Sequence, residues 1–278
     1  MSRIKTSLAS LLPPADGRTG VLLVHGLCGS PAEMRFIANG LTRSGYIVHC
    51  PQLAGHGGSE AELTATRWQD WYDSAEKGLD ELCARCDRVV VGGLSTGAVL
   101  ALMLAARHPD KISGLALYAP TLWLNGRSVP WYASLFRMVR SRRLAALFRF
   151  PAPHDFGIKD ERLRTFIKAA LTVPGTPVTP FATPGVAVLE RHRLVVALLP
   201  HIASIRMPVL ILHPREDDYA GLSNATHLQK SLAGPVQLVV LEDSYHLVTV
   251  DRQRDVVLDR TLCFLAQIGD RLTQRAAA

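Results

Sequence analysis

Three polar side chains that lie far apart in the sequence have the types needed for nucleophilic chemistry. Ser95 sits at the centre of the segment Gly93-Leu94-Ser95-Thr96-Gly97. A serine hydroxyl is a poor nucleophile at neutral pH and needs a base within hydrogen-bonding distance. His246 and Asp217 each follow an apolar run, and they succeed Ser95 in the order acid, then histidine. Together the three residues supply a nucleophile, a general base and a carboxylate that orients the base.

Each of these assignments has an alternative at the level of sequence. Asp218 competes with Asp217, because both belong to one acidic loop, residues 214–219. The chain contains ten histidines, and His246 is favoured because it follows the last predicted strand. His213 lies within a predicted strand and is expected to be a core or supporting group, whereas His25 is expected to hold its loop. The alternative for the whole motif is a Gly/Ser-rich turn that binds nothing.

The segments on either side of Ser95 give the motif its context. Residues 89–91 are three consecutive valines, a pattern typical of a strand buried on both faces of a parallel sheet. Residues 98–108 are rich in Ala, Leu and Met, which favour a helix. The sequence therefore predicts a strand, a sharp turn and a helix, with Ser95 at the apex in strained backbone geometry.

The same alternation of strands and helices extends along most of the chain. One helix is predicted to begin at Pro31, after Ser30 as its N-cap, and to end at Gly45. A second helix is predicted to follow Thr66 as its N-cap, and a third to begin at Asp251. Strands are predicted at residues 21–24, 46–50, 89–91, 112–119, 208–213 and 236–241. This alternation of strands and helices predicts an α/β fold with a doubly wound, mostly parallel sheet. Open sheets of this kind carry their sites at the carboxyl ends of the strands, where the three polar residues fall.

One long interval, residues 121–207, has no strand pattern. It contains three helical stretches, near residues 132–148, 159–171 and 186–199. Connections of this length usually carry function. We therefore expect a helical lid inserted into a core formed by residues 1–120 and 208–278. The alternative is a small second domain with a core of its own.

Composition limits the classes of protein that remain. Of the 278 residues 48% are hydrophobic and 20% are charged, which predicts a folded chain with a large core. No apolar run reaches the roughly 18 residues of a spanning helix, and the first residues make a poor signal peptide. The five cysteines are scattered, and the pair Cys83 and Cys86 lacks the partners of a zinc site. A cytoplasmic protein with reduced thiols, no metal and no stable membrane insertion is expected.

The net charge of +7 comes mainly from arginine. Part of it is clustered among apolar residues in a pattern that predicts an amphipathic helix, at Arg137, Arg140, Arg142, Arg143 and Arg149. A solvated helix face is the expected explanation, and attraction of an anionic substrate or of a membrane surface is the alternative. No nucleic-acid-binding motif is present, so no nucleic-acid partner is expected.

Six segments together resemble the α/β-hydrolase superfamily, and more closely the small bacterial carboxylesterases related to monoacylglycerol lipases. They are LLVHGLCGS, GYIVHCPQLAGHGGS, WQDWYDSAEKGLDEL, VVVGGLSTGA, ILHPREDD and DSYHLVTVD. The resemblance implies that Ser95, Asp217 and His246 form the catalytic triad and that the backbone N–H groups of Leu27 and Thr96 form the oxyanion hole. It also implies that neither a metal nor an organic cofactor takes part.

The expected function is hydrolysis of carboxylic esters with short to medium acyl chains, through an acyl-enzyme. A thioesterase, an amidase or aminopeptidase, a C–C bond hydrolase or a lipase would use the same residues, and a ligand receptor without turnover belongs to a different class. Two departures from the family pattern bear on these expectations. The lid is longer than in the smallest esterases, and the strands that usually precede the His25-Gly26 segment are shortened to the first twenty residues.

Overall fold

The computed structural model describes residues 19–129, 131–151, 155–171 and 182–276. The strands are β1 (Thr19–Val24), β2 (Ile47–His49), β3 (Arg88–Leu94), β4 (Gly114–Tyr118), β5 (Arg149–Pro151), β6 (Ala182–Pro184), β7 (Val209–Pro214) and β8 (Val236–Leu241). The α-helices are α1 (Arg35–Arg43), α2 (Glu60–Ala65), α3 (Trp68–Cys83), α4 (Thr96–Arg107), α5 (Arg142–Ala145), α6 (Glu161–Leu171), α7 (Gly185–Leu198), α8 (Ser223–Ser231) and α9 (Arg254–Ala276). Three 3₁₀-helices complete the description, at Pro31–Met34, Trp131–Met138 and Leu199–Ser204.

Six strands form one parallel sheet in the order β2-β1-β3-β4-β7-β8. Helices cover both faces, and the alternation of side chains along β1 illustrates the two layers. Leu22 and Val24 join the apolar cluster that contains α3, α4 and α7, whereas Val21 and Leu23 join the cluster that contains α1 and α9. The predicted doubly wound α/β fold is confirmed. The predicted strands of the sheet are found within three residues of their expected ends.

The turn that carries Ser95 depends on two glycines. Ser95 has φ 56° and ψ −112°, a strained conformation for a residue with a side chain. A Cβ atom added to Gly97 would lie 2.2 Å from the carbonyl oxygen of Val24, and one added to Gly93 would lie 2.3 Å from the carbonyl carbon of Gly97. Only glycine allows α4 to begin so close to β1 and β3. The backbone N–H of Ser95 donates to the carbonyl of Tyr118 at 2.9 Å, which fixes the turn to β4.

Two predicted helix starts need correction. Thr66 does not cap α3 but ends the short helix α2, which was not predicted from the sequence. α2 begins with a capping box, in which Ser59 N donates to Glu62 Oε2 at 2.6 Å and Glu62 N donates to Ser59 Oγ at 3.3 Å. Ser30 precedes its helix as predicted, but its side chain makes no capping hydrogen bond.

The segment between β4 and β7, here called the inserted segment, is not purely helical as predicted. Strands β5 and β6 pair antiparallel, with Phe150 opposite Thr183. α6 and α7 lie close to the predicted helices at 159–171 and 186–199, but the helix expected over 132–148 is divided between a 3₁₀-helix and α5. The predicted amphipathic arginine helix is therefore wrong. Two of its arginines reach other elements, Arg142 pairing with Glu190 at 2.5 Å and Arg149 with Glu60 at 2.7 Å.

The N-terminal leader and the shortened first strands of the prediction lie in residues 1–18, outside the described residues. None of the helices in the described part of the chain is long and apolar enough to cross a bilayer. Nor does any group of three or more metal-ligating side chains occur in the described ranges.

We expect Gly97→Ala to lower the free energy of unfolding by about 2–3 kcal/mol, because the added methyl group forces α4 away from β1. Urea denaturation followed by circular dichroism measures this change. The matched control is Gly269→Ala within α9, where the nearest atom to an added Cβ is 3.7 Å away and a gain of about 0.5–1 kcal/mol is expected. Equal stabilities of the two variants would contradict the close approach at Gly97.

Candidate active site

The structure brings Ser95, His246 and Asp217 into one hydrogen-bonded row. Ser95 Oγ lies 2.8 Å from His246 Nε2, and His246 Nδ1 lies 2.8 Å from Asp217 Oδ2 and 3.0 Å from Asp217 Oδ1. The three residues come from the turn after β3, the loop after β7 and the loop after β8, all at the carboxyl edge of the sheet. This is the geometry in which an imidazole removes the proton of a serine hydroxyl.

Asp217 is buried, and its charge is satisfied by three donors. Its Oδ1 accepts the backbone N–H groups of Tyr219 and Ala220, both at 2.8 Å, in addition to the imidazole. Burial alone would raise the pKa of Asp217, but the interaction with His246 and the hydrogen bonds outweigh it, so its pKa lies below the usual range. Asp217 therefore remains a carboxylate at neutral pH.

Asp218, the alternative acid, has a different set of partners. Its oxygens accept the backbone N–H of His246 at 3.3 Å and that of Gly157 at 3.2 Å. Its pKa is raised, chiefly by burial. The structure therefore places Asp217 on the imidazole ring and Asp218 on the backbone that carries the ring, where it also binds the inserted segment.

His246 itself is buried against the ring of Tyr219, with the two ring centroids 4.9 Å apart. Burial lowers the pKa of the imidazole, but the charge of Asp217 and its hydrogen bond outweigh this effect, so the pKa of His246 is raised above its ordinary value. The charges of Asp218 and Glu33 act in the same direction. The neutral imidazole that accepts a proton is thus formed only as the pH rises above this raised pKa.

The loop after β1 lies directly beside the nucleophile. A Cβ atom added to Gly26, the residue before Leu27, would be 3.6 Å from Ser95 Cβ. Thr96 is the first residue of α4, and its N–H has no acceptor within the helix. The two backbone donors expected for an oxyanion hole thus belong to the residues that follow Gly26 and Ser95, which lie side by side.

Glu33 is a site residue that sequence reasoning missed. Its carboxylate turns back from the 3₁₀-helix Pro31–Met34 and accepts the backbone N–H of Gly26 at 3.0 Å. Burial raises the pKa of Glu33 to about 7, against the hydrogen bond from Gly26 and the charge of His246, which both lower it. The sequence around Glu33 does not predict the hydrogen bond to Gly26, because this contact forms only when the loop after β1 folds back on itself.

Thr121 is a second neighbour that the sequence did not reveal. Its hydroxyl oxygen lies 3.2 Å from Ser95 Oγ, and it donates to the carbonyl of Ala119 at 3.0 Å. The residue is buried and follows β4, the neighbour of β3 in the sheet. Thr121 therefore borders the nucleophile on the side away from the loop after β1.

The two histidines expected to play supporting roles do so. His25 Nε2 accepts the backbone N–H of Leu53 at 3.2 Å, and burial lowers its pKa to about 4, so that it stays neutral. His213 Nε2 lies 2.7 Å from the carbonyl of Ala220, within the loop that carries Asp217. Neither ring contacts Ser95 in the described contacts of the site.

Comparison with known proteins agrees with this architecture. A family model described as serine aminopeptidase, S33, matches residues 15–253. The thermostable monoacylglycerol lipase of Bacillus sp. (strain H-257) is 30% identical over 254 residues, which cover 91% of this chain and 92% of the lipase. The carboxylesterase of Bacillus subtilis (strain 168) is 25% identical and covers 91% of this chain and 94% of its own length.

A solved structure reported for LipS and LipT, two metagenome-derived lipolytic enzymes, superimposes with a TM-score of 0.74. It shares 29% identity, and the match covers 90% of this chain and 94% of that chain. The comparisons therefore extend along nearly the whole chain, including the inserted segment.

Replacing either acid should reveal their different roles. We expect Asp217→Asn to slow labelling of Ser95 by a fluorophosphonate probe by about 10⁴-fold, because the amide no longer stabilises the imidazolium. Asp218→Asn keeps one acceptor oxygen and should slow labelling by roughly tenfold or less, the equivalent of one ordinary hydrogen bond. Labelling rates followed by mass spectrometry measure both effects. An equally severe loss in both variants would contradict the assignment of Asp217 to the ring.

The charge of Glu33 should be visible in the pH dependence of the same labelling reaction. In Glu33→Gln the negative charge that helps to raise the pKa of His246 is removed, so this pKa falls and labelling persists to lower pH than in the wild type. The matched control is Glu161→Gln in α6, which removes the same charge from an exposed side chain that pairs with Arg164 and has no described contact with Ser95 or His246. If the acidic limb of Glu33→Gln coincided with that of the control, Glu33 would have no influence on the base.

Proposed function

The chain belongs to the serine aminopeptidase S33 family of α/β-hydrolases and is a carboxylesterase-type hydrolase, and we propose that it cleaves esters of short to medium acyl chain through an acyl-enzyme on Ser95. The observation that carries the proposal is the continuous row of hydrogen bonds from Ser95 through His246 to Asp217. The names of the relatives, a monoacylglycerol lipase and a carboxylesterase, support an ester as the substrate.

In the proposed first step, Ser95 Oγ attacks the ester carbonyl carbon while His246 Nε2 takes the hydroxyl proton. Asp217 stabilises the resulting imidazolium through Nδ1. The carbonyl oxygen becomes an oxyanion, which accepts hydrogen bonds from the backbone N–H groups of Leu27 and Thr96. A single donor of this kind contributes about 2.7–4 kcal/mol to the stability of the transition state.

In the second half of the reaction the tetrahedral intermediate collapses. His246 gives its proton to the leaving alkoxide, the C–O bond breaks, and the acyl group remains on Ser95. Water then attacks the acyl-enzyme while His246 takes one of its protons, and a second tetrahedral intermediate forms. His246 returns this proton to Ser95 Oγ as the C–O bond to the serine breaks, and the carboxylic acid leaves. Both halves use the same base and the same oxyanion donors, so each requires His246 in its neutral form at the start.

We further propose that residues 121–207 act as a lid over a core formed by residues 1–120 and 208–278. Leu247 N donates to the carbonyl of Gly157 at 2.8 Å, and Gly157 N donates to Asp218 at 3.2 Å. These two hydrogen bonds support a position for the inserted segment directly beside the loop of His246. A lid in this place would enclose the acyl group of the substrate.

Hydrolysis of 4-nitrophenyl esters from acetyl to palmitoyl tests the proposal. We expect the highest kcat/KM with short to medium chains, and a loss of about 10⁶-fold in kcat for Ser95→Ala, as when the nucleophile of a triad is removed. Because the pKa of His246 is raised, kcat/KM should rise with pH along a limb centred above the ordinary value of about 6.5. Wild-type rates in Ser95→Ala would refute the acyl-enzyme, and fastest cleavage of long-chain emulsions would refute the chain-length preference.

A further inference from the structure

Arg191 occupies a position where the pattern of α7 calls for an apolar side chain. Residues at intervals of three or four along this helix share one buried face, and they are Ala187, Arg191, Leu194, Val195 and Leu198. The four apolar members belong to the core cluster that includes α4, the helix that begins after Ser95. Arg191 is 5% exposed, so its guanidinium is enclosed together with them.

This buried cation has no carboxylate partner among the described residues. Its Nε is buried without a hydrogen-bond partner, and its Nη2 donates only to a backbone carbonyl, that of Thr121. The one acid beside it in sequence, Glu190, is occupied by two other arginines, with Arg142 Nη1 at 2.5 Å and Arg193 Nη1 at 2.7 Å.

The surroundings add positive rather than negative charge. The pKa of His192 is lowered by burial and by the nearby charges of Arg137 and Arg191. Burial lowers the pKa of Arg191 to about 10, so that the group is still a cation at neutral pH. A buried charge without a partner is unfavourable, and an apolar residue of similar volume usually gives equal or greater stability. Apart from the hydrogen bond to the carbonyl of Thr121, no contact among the described residues accounts for a charge at this position.

The position of Arg191 relative to Ser95 suggests a role in substrate binding. Arg191 Nη2 donates to the carbonyl of Thr121, and the hydroxyl of the same threonine lies 3.2 Å from Ser95 Oγ. A single residue thus separates the unsatisfied cation from the nucleophile. An anionic group of a substrate bound at Ser95 would find a preorganised donor there, and the low exposure would strengthen the interaction.

We propose that Arg191 determines specificity by binding a carboxylate of the substrate, and that the preferred substrates are esters that carry a free carboxylate, such as half-esters of dicarboxylic acids. This inference rests on the proposed esterase function and names its substrate class. The carboxylate accepts a hydrogen bond from the unsatisfied Nε–H of Arg191 and supplies the missing counter-charge. No covalent step is added to the reaction at Ser95.

Two pairs of esters that differ only in the carboxylate test the inference. On the acyl side, 4-nitrophenyl hydrogen adipate is compared with 4-nitrophenyl hexanoate, and on the alcohol side 4-acetoxybenzoate is compared with phenyl acetate. In the wild type we expect kcat/KM to favour the anionic member of at least one pair by on the order of 10- to 100-fold, as for a hydrogen bond to a charged group.

Variants at Arg191 assign this preference. In Arg191→Met the anionic-to-neutral ratio should fall to about one or below, mainly through a higher KM for the anionic ester, and Arg191→Lys should give an intermediate ratio because it keeps the charge but not the planar fork. The matched control is Arg193→Met on the same helix, which removes the same charge and should keep the wild-type ratio. A wild-type ratio of one or less in both pairs, or an unchanged ratio in Arg191→Met, would overturn the inference.

Binding of adipate separates this inference from the proposed function. Adipate should raise the melting temperature of Ser95→Ala but not that of the double variant Ser95→Ala/Arg191→Met. If the wild type cleaved no ester while adipate still stabilised Ser95→Ala through Arg191, the esterase proposal would fail and the carboxylate site would stand. If adipate stabilised both proteins equally or neither, Arg191 would not be the anion-binding residue.

Discussion

The site depends on a carboxylate that stays ionised inside the protein. Asp217 is buried, which by itself favours its neutral form, and the ring of His246 together with the two backbone N–H groups after Asp217 reverses that preference. The backbone donors exist because the chain turns tightly after β7. The charge of Asp217 then holds the imidazole with Nε2 toward Ser95. The conformation of the loop after β7 therefore determines the protonation state of Asp217 and, through it, that of His246.

The sequence was sufficient for the parts of the site that follow from local pattern. Valine-rich strands, a glycine on each side of Ser95 and polar residues after β7 and β8 are each visible without coordinates. Parallel strands end at one edge, so residues more than one hundred positions apart could be expected to meet. The sequence does not show which of Asp217 and Asp218 faces the imidazole, because neighbouring residues of one loop differ only in the direction of their side chains.

What the sequence could not predict arises from contacts between distant elements. The strands β5 and β6 contain three residues each and lie over thirty positions apart, so neither shows an alternating pattern of useful length. The short helix α2 was not predicted because a glycine-rich segment precedes it, although the residues of its capping box are visible in the sequence. Glu33 and Arg191 are charged residues of ordinary appearance, and only the fold reveals that one approaches Gly26 and the other enters a core position.

Glu33 and Arg191 bring charges of opposite sign to different neighbours of Ser95. Acidic groups adjoin His246, where Asp217, Asp218 and Glu33 all favour the imidazolium that forms when Ser95 loses its proton. A cation reaches Thr121 on another side of the same serine. In the proposed reaction, proton transfer from Ser95 to His246 creates positive charge at the imidazole, and attack on the ester places negative charge on the carbonyl oxygen. Acidic groups held beside the base by the fold would stabilise the imidazolium of the proposed reaction without solvent reorganisation.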